Sequence, residues 1–334
     1  MPRRTSCASV ALLAGAALAA GCTSSPVVEP AVTEIVEGRG IAAGTVLFPG
    51  SFPRDRQPDG NSVMLLGPDG WVVFDTGRHE AHTRRLLAYA HASGSPVAAI
   101  VNSHWHLDHA SGNRLLRDAF PGASVFASDA IVAALPGFLA ESRDRAETLI
   151  ASGAVPEPMR SDLLGDIATI TDAGALLPTE TVTRSNAGTL GGRKVHLGLA
   201  EDAVTAGDLW LYDPGTRVLL AGDLVTLPVP FLDTACPAGW QDALATLQAT
   251  GFTLLVPGHG EPMDRAGFAR WRAAFDGLLA CAASETPPAG CAGQWIEGLG
   301  PMLPTGEHDR ARTMLEGYLD RVLRNDARAL DCPA

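Results

Sequence analysis

Three of the chain's nine histidines fall within one run of six residues, His104-Trp105-His106-Leu107-Asp108-His109, together with a carboxylate. Imidazole and carboxylate are ligands for zinc and similar divalent ions, and so dense a cluster can serve two ions at once. In extended backbone side chains alternate, so His104 and His106 are expected to point the same way. Asp108 and His109 follow at a turn and can face a second ion. A divalent ion in such a place lowers the pKa of bound water from 15.7 to about 7 and polarises a substrate oxygen. The chemistry this run predicts is hydrolysis. No Gly-x-Ser-x-Gly is present, so a serine nucleophile has no support.

The elements around the run must position it. Val97 to Val101 has the composition of a buried strand and would deliver the histidines at its carboxyl end, where α/β folds place their sites. Trp71 to Phe74 is a similar strand ending in Asp75-Thr76-Gly77, ahead of a helix over Glu80 to Ser93. Two later strands, Val218 to Leu220 and Leu254 to Val256, end in Ala221-Gly222-Asp223 and Pro257-Gly258-His259-Gly260. Further strands are expected at Ala42 to Leu47, Ser62 to Leu66, Thr181 to Thr183, Lys194 to Leu199 and Asp208 to Tyr212. Helices are expected at Ala110 to Phe120, Arg265 to Ala282 and about His308 to Arg328. A helical stretch over about 128–172, broken at Pro136 and Pro156, would cover one side of the site. The loop from Pro49 to Asn61 carries Arg54 and Arg56, a pair able to meet a substrate carboxylate. Strands and helices come in two successive β-then-α halves, which predicts an α/β chain folded as an αββα sandwich rather than a doubly wound sheet.

Together, HWHLDH, Asp75-Thr76-Gly77, Ala221-Gly222-Asp223 and Pro257-Gly258-His259-Gly260 resemble the metallo-β-lactamase superfamily, in the right order over roughly Ala42 to Gly260. The resemblance implies that His104 and His106 hold a first zinc, and that Asp108, His109 and His259 hold a second. Asp223 would bridge the two, and Asp75 would support the histidine loop from behind. Asp108 would also orient the attacking water. One position departs from the pattern: Val204 stands where the family presents a further histidine for the first ion, and valine ligates no metal. Asp202 or Glu201 is expected to substitute, in preference to His196. The function implied is a zinc-dependent hydrolase, with one or two ions, acting through a metal-bound hydroxide on a small amide, ester, lactone or thioester. The alternative is a non-catalytic or weakly catalytic binding protein whose first metal site is incomplete.

Composition limits the partners. Over 334 residues the formal charge is -12, with no basic run beyond the first few residues, so nucleic-acid binding is not expected. The partner expected is a small-molecule substrate. Arg3 and Arg4, the apolar Val10 to Ala20 and Leu18-Ala19-Ala20-Gly21-Cys22 resemble a bacterial lipoprotein signal. The expected order is therefore signal peptide 1–21, tether 22–40 and one catalytic domain 41–334 with its C-terminal helices at about 265–330. Cys22 would be lipidated, placing the protein in the cell envelope, facing the periplasm and anchored to the membrane only through that lipid. Of the six cysteines, Cys236, Cys281, Cys291 and Cys332 remain for two disulfides. Cys281 and Cys291 flank a short loop and are expected to pair, leaving Cys236 with Cys332.

Overall fold

The computed structural model describes residues 38–325 and Cys332. The expected signal, the expected lipidation site Cys22 and most of the expected tether lie outside the described residues. The first sheet runs in spatial order β1 (Arg39–Ala42), β2 (Thr45–Phe48), β3 (Ser62–Gly67), β4 (Gly70–Phe74), β5 (Val97–Val101), β6 (Ser124–Ala127) and β7 (Glu180–Thr181). The second holds β8 (Asn186–Leu190), β9 (Arg193–Glu201), β10 (Gly207–Asp213), β11 (Val218–Leu220) and β12 (Leu254–Val256), with β12 and β8 at its edges. Pairing is parallel from β4 to β7 and between β11 and β12, and antiparallel elsewhere.

Helices cover both outer faces. They are α1 (Glu80–Ser93), α2 (Leu107–Ala110), α3 (Asn113–Ala119), α4 (Ala130–Ala134), α5 (Ala140–Ala151), α6 (Met159–Thr171), α7 (Pro237–Ala249), α8 (Arg265–Ala282), α9 (Pro288–Leu299) and α10 (His308–Tyr318). Alternation sorts the strand side chains into separate cores. Leu65, Val72, Phe74 and Val101 of the first sheet meet Leu197, Leu209, Leu211 and Leu220 of the second. The opposite faces of the first sheet's strands, with Met64, Val73 and Ile100, pack on Leu86, Leu87 and Leu116 of α1 and α3. Trp210 and Leu219 of the second sheet join Trp240, Trp271 and Trp295 of the C-terminal helices. The result is the predicted αββα sandwich.

Several elements differ from expectation. The strand expected over Ala42 to Leu47 is a hairpin, β1–β2, turning at Gly44, whose φ of 60° suits glycine. The helix expected from Ala110 begins earlier, so Asp108 and His109 lie in the one-turn α2, and α3 follows separately. β6, β8, α7 and α9 were not anticipated. β8 is nearly all exposed and carries little apolar signal; it exists as an edge paired to β9. In α9, Pro288 occupies the first turn, where its missing N–H costs nothing, although Pro-Pro-Ala-Gly reads as loop. Both expected disulfides are present, Cys236–Cys332 with Cα atoms 4.9 Å apart and Cys281–Cys291 with 5.6 Å.

Candidate metal centre

Asp75, His104, Asp223 and His259 all follow the carboxyl ends of parallel strands, β4, β5, β11 and β12 respectively, so the sandwich brings four distant loops to one end. Close backbone approach demands glycine at two of them. A Cβ on Gly258 would lie 2.0 Å from Asp223 Oδ1, and one on Gly222, at φ 53°, would lie 2.4 Å from Ser103 Cβ. Asn61 fastens the late loop by donating to the carbonyls of Pro257 (2.9 Å) and Gly260 (2.8 Å).

Two groups of three ligand atoms result, His104–His106–Asp223 and Asp108–His109–His259, each with its atoms within 4.8 Å of one another and all six residues buried. Asp223 also stands 3.2 Å from His109 Nε2 and 3.7 Å from His259 Nε2, which places it between the groups. His259 Nε2 lies 3.1 Å from Asp108 Oδ2.

Hydrogen bonds behind the rings fix which nitrogen carries a lone pair. Ser103 Oγ donates to Asp75 Oδ2 (2.8 Å) and so can accept from His104 Nδ1 (2.9 Å), freeing His104 Nε2 as a ligand atom. Thr234 Oγ1 donates to the Val204 carbonyl (2.8 Å) and can accept from His106 Nε2 (3.1 Å), freeing His106 Nδ1. Asp75 Oδ2 accepts from His109 Nδ1 (2.9 Å), freeing His109 Nε2. His104 Nε2 and His106 Nδ1 then face each other at 2.8 Å, and His109 Nε2 faces His259 Nε2 at 3.3 Å. The converging lone pairs of the neutral His104 and His106 repel unless a cation stands beside them. Asp223 Oδ1 is buried, with His109 Nε2 3.2 Å away but no well-angled hydrogen-bond donor among the described residues, and has the same need. The residues present therefore fit divalent metal.

The electrostatics agree. Burial, reinforced by neighbouring histidines, holds His104 well below the ordinary imidazole range and His106 at about 3, so both are neutral, the ligand form. His109 moves the other way: burial opposes it, but the carboxylates of Asp223, Asp75 and Asp108 raise it well above 6.5. Its proton answers a concentration of negative charge that a divalent ion would meet equally well.

Other sequence-selected residues lie elsewhere. Val204 is fully buried in the core beneath the C-terminal helices. Glu201 and Asp202 line a separate cleft with Cys236, Gly239 and Cys332, and neither belongs to the ligand groups. The expected substitution at Val204 is therefore not made by them: the β9–β10 turn, with Asp202 at φ 52°, directs both to that cleft. His196 is exposed on β9, its ring 5.8 Å from that of Tyr212. Arg56 is held by Asp162 and Arg54 by the Gly306 carbonyl, so this pair serves structure rather than a substrate carboxylate. Thr234, which takes up the space beside His106, and Arg78, 3.6 Å from Asp108, were not anticipated. Thr234 lies 128 positions from His106, and no local pattern links them.

The family model described as the metallo-beta-lactamase superfamily matches residues 55–274. A linear primary-alkylsulfatase of Pseudomonas sp. (strain ATCC 19151) is 26% identical over 232 residues, covering 60% of this chain and 41% of its own length. A hydroxyacylglutathione hydrolase of Gloeobacter violaceus is 39% identical over 64 residues, 19% of this chain and 25% of its own length. The chain thus spans less than half of the curated relatives it matches. Among solved structures, a metallo-beta-lactamase from Pontibacter korlensis superposes with a TM-score of 0.53 at 19% identity, over 72% of this chain and 98% of its own. A double mutant of a sec-alkyl sulfatase gives 0.55 at 18% identity, over 84% of this chain and 51% of its own. With two thirds of its length matched by that family model and its strand-end loops gathered as described, the chain belongs to the metallo-beta-lactamase superfamily.

Proposed function

We propose that this chain is a zinc-dependent hydrolase of small carbonyl substrates, an amide, ester, lactone or thioester. The observation that carries the reading is the pair of adjoining ligand groups, with His106, Asp108, Asp223 and His259 lining one open cavity of about 480 Å³. His104, His106 and Asp223 would hold one ion, and Asp108, His109 and His259 the other, with Asp223 shared. A zinc ion so held supplies an acidified water and polarises the substrate oxygen.

The protein's own groups do the rest. Asp75, through Ser103 and His109, keeps ligand rings in their donor orientation. Although burial opposes it, His109, His259 and Arg78 keep the Asp108 carboxyl well below its usual range, so it stays ionised. Ionised, it can orient water and pass its proton to the leaving atom. In a test with zinc-loaded protein and p-nitrophenyl acetate, Asp108→Asn should lower kcat by roughly 100-fold or more. Equal activity in the variant would contradict the assignment. A second reading, a metal-binding protein without turnover, is favoured by Val204, and zinc uptake with no hydrolysis of any ester, thioester, lactone or amide would select it.

We also propose that the chain is exported and lipid-anchored at Cys22. The two disulfides support an oxidising compartment. Incorporation of labelled palmitate that is lost in Cys22→Ala tests it.

A further inference from the structure

The cavity at the metal centre is lined mainly by apolar side chains drawn from four parts of the chain. Leu149 and Leu163 come from α5 and α6, Phe138 from the turn before α5, Phe231 from the loop beyond Asp223, and Met314 and Tyr318 from α10. Such a space is far larger and more apolar than a short polar substrate needs, and lies in the range that encloses most of a drug-sized ligand. Tyr318 adds no charge, because burial pushes its phenol further above the usual range.

Two cations line this cavity, and neither offers a dedicated anion site beside the metal ligands. Arg78 donates to Asp166 (2.5 Å) and to the Pro58 carbonyl (3.1 Å), and lies 3.6 Å from Asp108. Arg145 lies over the Phe138 ring, 5.6 Å from its centroid, and bonds Ser142. The helical segment is also apolar outward. Among the described residues, Val132, Leu149, Leu164 and Leu177 are exposed by 39% or more, four of the five large apolar side chains that are. Single exposed apolar residues mean little, but three on the helical segment that walls the cavity, Val132, Leu149 and Leu164, with Leu177 just beyond it, suit an amphiphile arriving there.

We infer that the substrate is a carboxylic ester or thioester of a medium-length apolar acyl chain, its carbonyl at the metal centre and its tail between α5, α6 and α10. This deepens the hydrolase reading and rests on it. In the reaction, a water oxygen bonds to the acyl carbon and the bond from that carbon to the leaving oxygen or sulfur breaks. One water proton passes to the leaving atom, giving an alcohol or thiol, and the product is a fatty acid that ionises to its carboxylate.

The test compares p-nitrophenyl acetate, butyrate and octanoate on zinc-loaded full-length protein. Burial of six further methylenes should raise kcat/KM by at least about tenfold from acetate to octanoate. Ala146→Phe, which fills the cavity from α5, and Leu149→Glu, which charges its wall at a half-exposed position, should each erase that gain while leaving acetate hydrolysis intact. Retained acetate turnover shows that a variant is folded, and Leu149→Glu carries the test if Ala146→Phe is not. Calorimetry with decanoate against acetate reads the tail site without turnover, and decanoate should bind at least about tenfold more tightly. Equal rates across the ester series with no preference for decanoate would overturn this inference and leave the hydrolase reading standing. Tight decanoate binding with no ester, thioester, lactone or amide hydrolysed would uphold the tail site and sink the hydrolase reading. Turnover of octyl sulfate in place of the octanoate ester would overturn the acyl head group.

Discussion

Thr234 Oγ1 lies 3.1 Å from His106 Nε2 while donating to the carbonyl of Val204, so a threonine orients a candidate ligand imidazole from the backbone of Val204. The valine side chain points into the core, and its carbonyl holds the hydroxyl that aims the ring. Thr234→Val should raise the dissociation constant of the ion at His104, His106 and Asp223 by about 10- to 100-fold, as loss of a ligand's outer partner does. The ion at Asp108, His109 and His259 should be unaffected. Two-step zinc titration with a competing chelator separates the two sites, and equal weakening of both would contradict the assignment.

Arg78 ties the helical segment to the metal centre. Its guanidinium is almost wholly buried between Asp166 of α6 and Asp108. Burial opposes the charge, but those two carboxylates raise the group's already high pKa further. Arg78→Ala leaves both acids buried without it and should cost about 3–5 kcal/mol in urea denaturation. A double variant, Arg78→Met with Asp166→Leu, should recover much of the loss, because an apolar pair of similar volume avoids the stranded charge.

A second charged cluster sets a pH window. His79 Nδ1 lies 2.7 Å from Asp59 Oδ2 and its Nε2 3.1 Å from Asp162 Oδ1. Burial opposes the charge on His79, but these carboxylates raise its pKa above 6.5. Burial likewise opposes ionisation of Asp59 and Asp162, yet His79, with Arg56 at Asp162, lowers both below 3.8. The histidine's contribution to stability is complete below pH 6.5 and disappears as pH rises through its raised folded value. The acids' contribution is present above 3.8 and disappears as pH falls through their lowered values. Denaturation midpoints of the protein should therefore decline on the alkaline side of pH 6.5, and His79→Asn should flatten that slope. An unchanged slope in the variant would place the titration elsewhere.

The two disulfides differ in the length of chain they close, 96 residues for Cys236–Cys332 and 10 for Cys281–Cys291. Loop-closure entropy grows with length, so Cys332→Ser should cost more than Cys291→Ser, with the former about 2–5 kcal/mol. Melting temperatures of the single variants check the order.

Much of this was legible in the sequence because strand ends carry short, local signals. HWHLDH, Asp75, Asp223 and His259 each follow an apolar run, and the fold only had to converge them. The groups that tune the site were not legible. Thr234 reaches His106 and Asp162 reaches His79 solely through packing, with 128 and 83 positions between them. Arg54 and Arg56 illustrate the opposite error, since exposed-looking arginines in a loop proved to be fastenings for other segments. Glu201 and Asp202 lie close in sequence to Val204, yet the turn at Asp202 sends them to another surface. α9 was hidden because a helix starting at proline looks like loop until its buried face is known.

The decisive measurement is the metal content of the protein after zinc loading and removal of loosely held ions, set beside His259→Ala. One to two zinc ions per chain are expected, with the variant holding about one fewer and remaining folded by circular dichroism. Folded protein that takes up no stoichiometric zinc, or a variant that keeps the full complement, would contradict the metal centre and the hydrolytic function built on it.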